Sequence, residues 1–155
     1  MPEGGPVEEP TRGLIRHAIA TIAYRGRVGL SGAPEGFAAF DAGHDARTPL
    51  ELVAHLTLLC RFAQGLLCGT RREEDERLPW DAAVARLEQA LRELDADVAG
   101  ASTWHYAPTV ALQGPLADAL THVGQLILLR RLAGAPTERA NYPVAPVRAG
   151  EISLR

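Results

Sequence analysis

Apolar residues recur at intervals of three and four along four separate segments of this chain, and this spacing constrains the fold more than any other feature. It is the spacing of amphipathic helices that turn one stripe toward a core. No segment of consequence alternates with the period of two that a strand shows. The pattern predicts an all-α fold: one domain built as a four-helix bundle, in which several connections exceed the shortest bundle loops.

The second of these segments has the clearest start signal. Thr48 is placed as an N-cap, Pro49 takes the first helical position, and Glu51 follows as the reciprocal partner of a capping box. The apolar stripe that follows includes Phe62, and Gly69 ends the helix.

The other three helices have weaker boundaries. The first starts near Thr11, with its periodicity over residues 14–24, and the third covers residues 79–100. The fourth begins at Gly114-Pro115 and runs to Gly134. It is apolar almost all round, which predicts a central position in the bundle.

The segments outside the helices set the domain organisation. Residues 1–9 are expected to form a disordered leader, residues 10–147 the bundle domain, and residues 148–155 a C-terminal tail. The chain from Ala135 onward, rich in proline, is expected to be extended over the surface. The charge run at residues 70–77 is interpreted as a solvated connection.

Charge and composition exclude several classes of function. All sixteen basic residues are arginine, which indicates a GC-rich, bacterial genome, and the net charge is −3. No basic tract exceeds two residues, so the electrostatic footprint of a nucleic-acid binder is missing. A signal peptide and a membrane-spanning apolar run are also missing, and we therefore expect a cytoplasmic protein that binds neither nucleic acid nor membrane.

Two cysteines, Cys60 and Cys68, stand eight residues apart in the second helix. At the helical rise they are separated by about 12 Å, so they cannot form a disulfide with each other. Their spacing is not that of a CxxC motif, and they are interpreted as small apolar residues.

Polar residues enter the predicted core at two places. Asp118 and His122 are four residues apart and share one face of the fourth helix, and Gln125 continues that row. His55 lies in the apolar stripe of the second helix, where a buried ring needs hydrogen-bond partners or a metal. If these helices face each other, His55, Asp118 and His122 form a 2-His-1-carboxylate set with open positions for water or substrate.

Other interpretations stay open from spacing alone. A single histidine on an apolar helix face is typical of a hydrogen-bonded core residue, and an Asp/His pair at this spacing is typical of a helix-stabilising surface pair. Arg130 is interpreted as a helix-terminal arginine. Further residues with weaker claims to line a site or anchor a loop are His17, His44, His105, Trp104 and Tyr106.

A family resemblance adds to this interpretation. The segments TPLELVAHLTLLCRFAQGLL, GPLADALTHVGQLILLRRLAGAP and NYP resemble the DinB/YfiT-like superfamily of metal-dependent four-helix-bundle proteins over roughly residues 10–147, and THVGQ…LRRLAG is the most specific element. The resemblance implies long crossover connections, a homodimer, and a metal held by a histidine of the second helix and an H-x3-H pair of the last.

The ligand set carries over residue by residue. His55 matches the histidine of the second helix and His122 the second histidine of the pair. Asp118 stands where the first histidine of that pair usually lies, which keeps a legitimate ligand but shifts the site toward harder ions. The divalent ion, among zinc, nickel, manganese and iron, is not distinguished.

Two functions of different classes follow from the resemblance. The first is a divalent-metal-dependent enzyme, a transferase or isomerase that acts on a small-molecule electrophile and uses a low-molecular-weight thiol such as mycothiol or bacillithiol. The second is a non-catalytic helical-bundle dimer with a degenerate metal site and a stress-related or scaffold role.

Overall fold

The fold is built from helices, as a computed structural model of the chain shows for residues 1–70 and 77–155. The α-helices, in chain order, are α1 (Glu9–Leu30), α2 (Pro49–Cys68), α3 (Trp80–Gly100), α4 (Pro108–Ala111) and α5 (Ala117–Leu132). Extended pairing among the described residues is limited to two isolated β-bridges. The predicted all-α bundle of four main helices is therefore confirmed.

The four long helices enclose one core of aliphatic side chains. α2 packs most extensively against α3, α1 packs against α5 and α3, and α2 also contacts α5. Large side chains that are almost fully buried come from all four helices, among them Ile19, Leu52, Leu56, Leu87, Leu91 and Leu126. Burying this apolar surface supplies the main driving force for the bundle.

The predicted start of α2 is confirmed in detail. The Thr48 side chain accepts a hydrogen bond from the Glu51 N–H, and the Glu51 carboxylate accepts one from the Thr48 N–H at 2.8 Å. At the other end Gly69 adopts a φ of 70°, the left-handed conformation that ends a helix at low steric cost. Both ends of α2 are thus fixed by local sequence.

The last helical region differs from its prediction, because helical structure begins at Pro108 and not at Gly114. One turn of π-type helix, Leu112–Leu116, joins α4 to α5, and Gly114 inside it is non-helical with φ −94° and ψ −108°. Pro115 has no N–H to donate to the preceding turn and crowds it, so the chain kinks there. The Gly-Pro pair that indicated a helix start instead marks this kink.

α1 continues six residues beyond the predicted periodic segment. Gly26 and Gly29 lie inside it, on faces where neighbours approach closely. A Cβ built on Gly26 would lie 3.2 Å from the Leu154 side chain, and one on Gly29 would lie 3.4 Å from the Ile127 side chain. In the sequence these glycines favoured a loop after the first helix. In the structure they lie inside α1 and allow neighbouring side chains to pack closely against it.

Arg130 does more than end its own helix. Its guanidinium donates hydrogen bonds to the carbonyls of Gly29, Ser31 and Gly32 at the end of α1, and to Ala135 beyond α5. Burial lowers the pKa of this arginine from its usual value. The side chain thus fastens the C-terminal end of α1 to α5, a long-range role that its position in the sequence did not indicate.

The leader at residues 1–9 is ordered, in contrast to its prediction. Gly4 donates a backbone hydrogen bond to the carbonyl of His105, the Trp104 N–H donates to Gly5, and the Val7 N–H donates to Ser102. The leader pairs with the connection between α3 and α4 in the manner of a strand. Pairing with a distant segment satisfies backbone groups that local sequence leaves open.

The C-terminal tail, expected at the surface, is partly core. Ile152 and Leu154 are buried, and the Leu154 N–H donates to the Glu88 carboxylate of α3 at 2.8 Å. Residues 148–155 are therefore part of the bundle domain and not an appendage. Two apolar residues in so short a polar segment give no periodicity, which is why the sequence did not predict their burial.

The predicted charge run and the apolar helix α2 differ in how much of each the structure describes. The predicted solvated charge run falls mostly on residues 71–76, which lie outside the described residues.

Within the described residues α2 is long and apolar enough to cross a membrane by length and composition, and 61% of that stretch is buried inside the bundle. Its fully buried Gln64 donates to the Asp97 carboxylate of α3 at 2.6 Å.

Candidate metal centre

His55 of α2 converges with Asp118 and His122 of α5. His55 Nε2 lies 3.7 Å from Asp118 Oδ2, and His122 Nε2 lies 3.4 Å from Asp118 Oδ1. The two imidazole rings meet edge to face, with centroids 4.7 Å apart. One donor atom from each of the three residues lies within 4.8 Å of the other two, so the predicted ligand set does come together in space.

Packing of α2 against α5 produces this convergence. Asp118 lies in the first turn of α5, directly after the kink, and His122 lies one turn later on the same face. His55 lies in the N-terminal half of α2, and α2 packs against α5. Each ligand is therefore carried by a helix whose position is set by the core.

His122 is the most deeply placed ligand, with its side chain 9% exposed. Its Nδ1 lies 2.9 Å from the Gln125 side-chain oxygen, which accepts a hydrogen bond only from a protonated Nδ1. The tautomer that carries its proton on Nδ1 donates this hydrogen bond and leaves the Nε2 lone pair available to an ion. Such an outer partner is the usual means by which proteins orient a metal-binding imidazole.

His55 is less enclosed, with its side chain 27% exposed. Burial lowers the pKa of its imidazole, the positive charge of Arg47 lowers it further, and the Asp118 carboxylate offsets these effects only in part. A lowered pKa keeps the ring neutral near pH 7, which is the form that binds a metal.

The donor set fits a divalent ion. Because a zinc bond to nitrogen or oxygen is about 2.1 Å long, two donors to one ion lie at most about 4.2 Å apart. Both His–Asp separations fall inside this limit, and the group as a whole spans no more than 4.8 Å. To bind one ion, the three donor atoms need to move only slightly toward each other. Side chains that border solvent on one side have room for this movement.

Asp118 gives the centre an open side, since its side chain is 48% exposed. Three protein donors that enter from one side leave the remaining coordination positions of an ion to solvent or substrate. A closed structural site, by contrast, fills every coordination position with protein donors.

The other histidines do not join this group. His17, His44 and His105 are all exposed, and each lies on a different element from the three ligands. Across the part of the chain that the structure describes, the three ligands form the one cluster of histidine, cysteine and acidic side chains close enough to share an ion. Trp104 is buried, in agreement with a role as loop anchor.

Cys60 and Cys68 are free, as the spacing predicts. Burial raises the pKa of the Cys60 thiol to about 12 and that of the Cys68 thiol to about 11. Both therefore stay protonated at neutral pH and are weak nucleophiles.

The sequence did not predict that two further residues, Phe62 and Arg47, are neighbours of the centre. Phe62, placed in the apolar stripe of α2, is 55% exposed beside the site, and Arg47 acts on His55 from the connection before α2. Phe62 lies seven residues after His55, two helical turns along the same face, and that spacing was the available signal. No sequence signal marked Arg47.

Comparison with family models, curated proteins and solved structures finds no match to this chain.

Proposed function

We propose that the chain is a divalent-metal-dependent enzyme of the DinB-like type, acting as a thiol-dependent transferase or isomerase on small electrophiles. The convergence of His55, Asp118 and His122 carries the proposal. A bound divalent ion supplies Lewis acidity, which polarises a carbonyl or lowers the pKa of a thiol that reaches it.

The side chains around the centre have distinct roles in this proposal. The imidazoles of His55 and His122 and the carboxylate of Asp118 hold the ion from one side. Gln125 holds the His122 ring in its binding tautomer through the 2.9 Å hydrogen bond. Apolar packing of α2 on α5 excludes water from the protein side.

The nucleophilic thiol is proposed to come from a small molecule. Cys60 and Cys68 have raised pKa values, about 12 and about 11, so neither supplies a thiolate at neutral pH. This supports the low-molecular-weight thiol that the family resemblance implies. The homodimer that the same resemblance implies and the cytoplasmic location expected from the sequence are further parts of the proposal.

Metal content is the first test. Protein purified without an affinity tag should retain close to one equivalent of a divalent metal by elemental mass spectrometry, and that metal should raise the unfolding temperature. His55→Ala and His122→Ala should each abolish retention, because two remaining donors bind an ion weakly. The matched control is His17→Ala, a histidine on the exposed face of α1, which should leave retention intact.

The opposite result assigns the second function. Less than about a tenth of an equivalent, with no stabilisation by added zinc, nickel or manganese, would contradict the metalloenzyme and leave the non-catalytic dimer with a degenerate site. In that case Asp118→Asn should have almost no effect on the unfolding temperature, because asparagine can still accept the hydrogen bonds of the aspartate. Equal loss in all three histidine variants would indicate general destabilisation.

A further inference from the structure

A surface groove opens directly beside the metal centre. It encloses about 490 Å³ between α2 and the kinked segment that leads into α5. This volume is in the range of pockets that hold small molecules. Its walls include Leu59, Phe62, Gln113, Pro115, Asp118 and Thr121.

The groove and the metal centre share a residue. Asp118 is both a ligand of the candidate centre and part of the groove wall, and its carboxylate is half exposed. Of the three candidate ligands Asp118 alone lines the groove, so the groove adjoins the centre on the side of this carboxylate. A molecule whose donor atom reaches the ion has its remainder within contact of this wall.

The lining of the groove favours a ligand that is uncharged and apolar. Apart from Asp118, its wall carries no charged side chain among the described residues. The Phe62 ring, 55% exposed, offers a planar apolar face, and Leu59 and Pro115 continue that surface. An aromatic ring left this open to water gains free energy when another planar apolar group covers it.

The kink gives the groove its shape. A regular helix through Leu112–Leu116 would bring a continuous row of side chains over α2, whereas the π-type turn and the non-helical Gly114 leave a recess. A Cβ built on Gly114 meets no atom within 4 Å, so this stretch of the wall stands clear of its surroundings.

We propose that this groove binds an uncharged, planar, apolar group of the substrate, an aromatic or conjugated system, while the substrate's donor atom reaches the ion. The inference rests on the proposed metal centre and adds the substrate class to it. Phe62 is the residue that determines specificity for the apolar part. It lies beyond the reach of the ion and does not take part in metal binding.

Two hydroxamic acids that differ in one group test the inference. Acetohydroxamate and benzohydroxamate bind a divalent ion through the same two oxygens, and the second adds a phenyl ring. Calorimetric titration of the metal-loaded protein should give about tenfold tighter binding of benzohydroxamate. Phe62→Ala should reduce this preference to about twofold or less while the affinity for acetohydroxamate and the metal content stay unchanged.

A matched control separates the groove from apolar surface in general. Leu128→Ala removes an apolar side chain of similar exposure from α5, outside the groove, and should keep the tenfold preference. Because Phe62 and Leu128 are both about half exposed, neither change removes core packing.

The outcomes distinguish this inference from the proposed function. Loss of metal, or a retained ion that neither hydroxamate binds, would overturn the metal centre together with the groove. Equal binding of both hydroxamates to a loaded protein would overturn the groove alone. A Phe62→Ala change that turns a dimer into a monomer and leaves the preference intact would assign Phe62 to contact with a second copy and overturn the inference as well.

Discussion

The properties of the centre depend on which atom of each ring carries a proton. His122 meets the Gln125 oxygen through Nδ1 and Asp118 through Nε2, and only the tautomer with its proton on Nδ1 has an Nε2 lone pair for an ion. Gln125 itself is exposed. Its effect on metal affinity is therefore separable from its effect on folding.

Gln125→Ala should weaken metal binding by about tenfold, because the His122 ring loses the partner that fixes its tautomer and orientation. Competition titration against a chromophoric chelator measures the affinity. Gln113→Ala, a glutamine on the groove wall, is the control and should leave the affinity unchanged. Equal affinities for the Gln125 variant and the natural chain would show that the outer partner has no influence.

The three ligands were predictable because a helix places residues four apart on one face, and because a histidine in an apolar stripe is anomalous. Their convergence was implied by the resemblance and by facing helices, and the 3.4 and 3.7 Å separations bear it out. The exposure of Phe62 was not predictable. Its place in the apolar stripe of α2 favours burial, and residue pattern alone does not show which stripe residues a neighbouring helix covers.

Among the helices, α2 has the bounds that agree best with those predicted from the sequence. Its capping box and terminal glycine act within a few residues, so the local sequence suffices to place both ends. α1 and α5 differ, since their limits depend on contacts with distant parts of the chain. Gly26 and Gly29 favoured a connection by local preference, and packing against Leu154 and Ile127 overrides it.

The capping box predicts a specific pH dependence. The backbone hydrogen bond to Thr48 lowers the pKa of the Glu51 carboxyl below its ordinary value of 4.5. A lowered folded-state pKa stabilises the protein above the ordinary value, and this contribution is lost as the pH falls through the folded-state value.

Glu51→Gln should therefore reduce the free energy of unfolding at pH 7, and the difference from the natural chain should shrink as the pH falls below about 4.5. Urea denaturation at a series of pH values measures it. A difference that stays constant down to about pH 3 would show that the carboxylate charge contributes nothing at this helix start.

On the scale of the whole molecule, both chain ends belong to the fold. The leader pairs with the connection between α3 and α4, and the tail inserts Ile152 and Leu154 into the core. Sequence periodicity predicted the four helices and their shared core. It left out these two ends because each contributes too few residues to form a pattern.

Leu154→Ala should lower the free energy of unfolding by about 3 kcal/mol, because a side chain only 1% exposed leaves a cavity when truncated. The matched control is Val144→Ala, at a side chain 74% exposed, which should change stability by less than about 0.5 kcal/mol. Guanidinium denaturation measures both. Similar small effects for the two variants would show that the tail is dispensable.

The kink at Gly114-Pro115 also sets how far α5 is rotated about its own axis, and hence which of its side chains face α2. Each residue added to or removed from a helix rotates everything after it by about 100°. With Asp118 only two residues past Leu116, where the π-type turn ends, a single-residue deletion within Leu112–Leu116 would swing the carboxylate and its partner imidazole around the axis and away from α2. The length of this five-residue turn thus decides, as much as the identity of the three side chains does, whether they meet at one point.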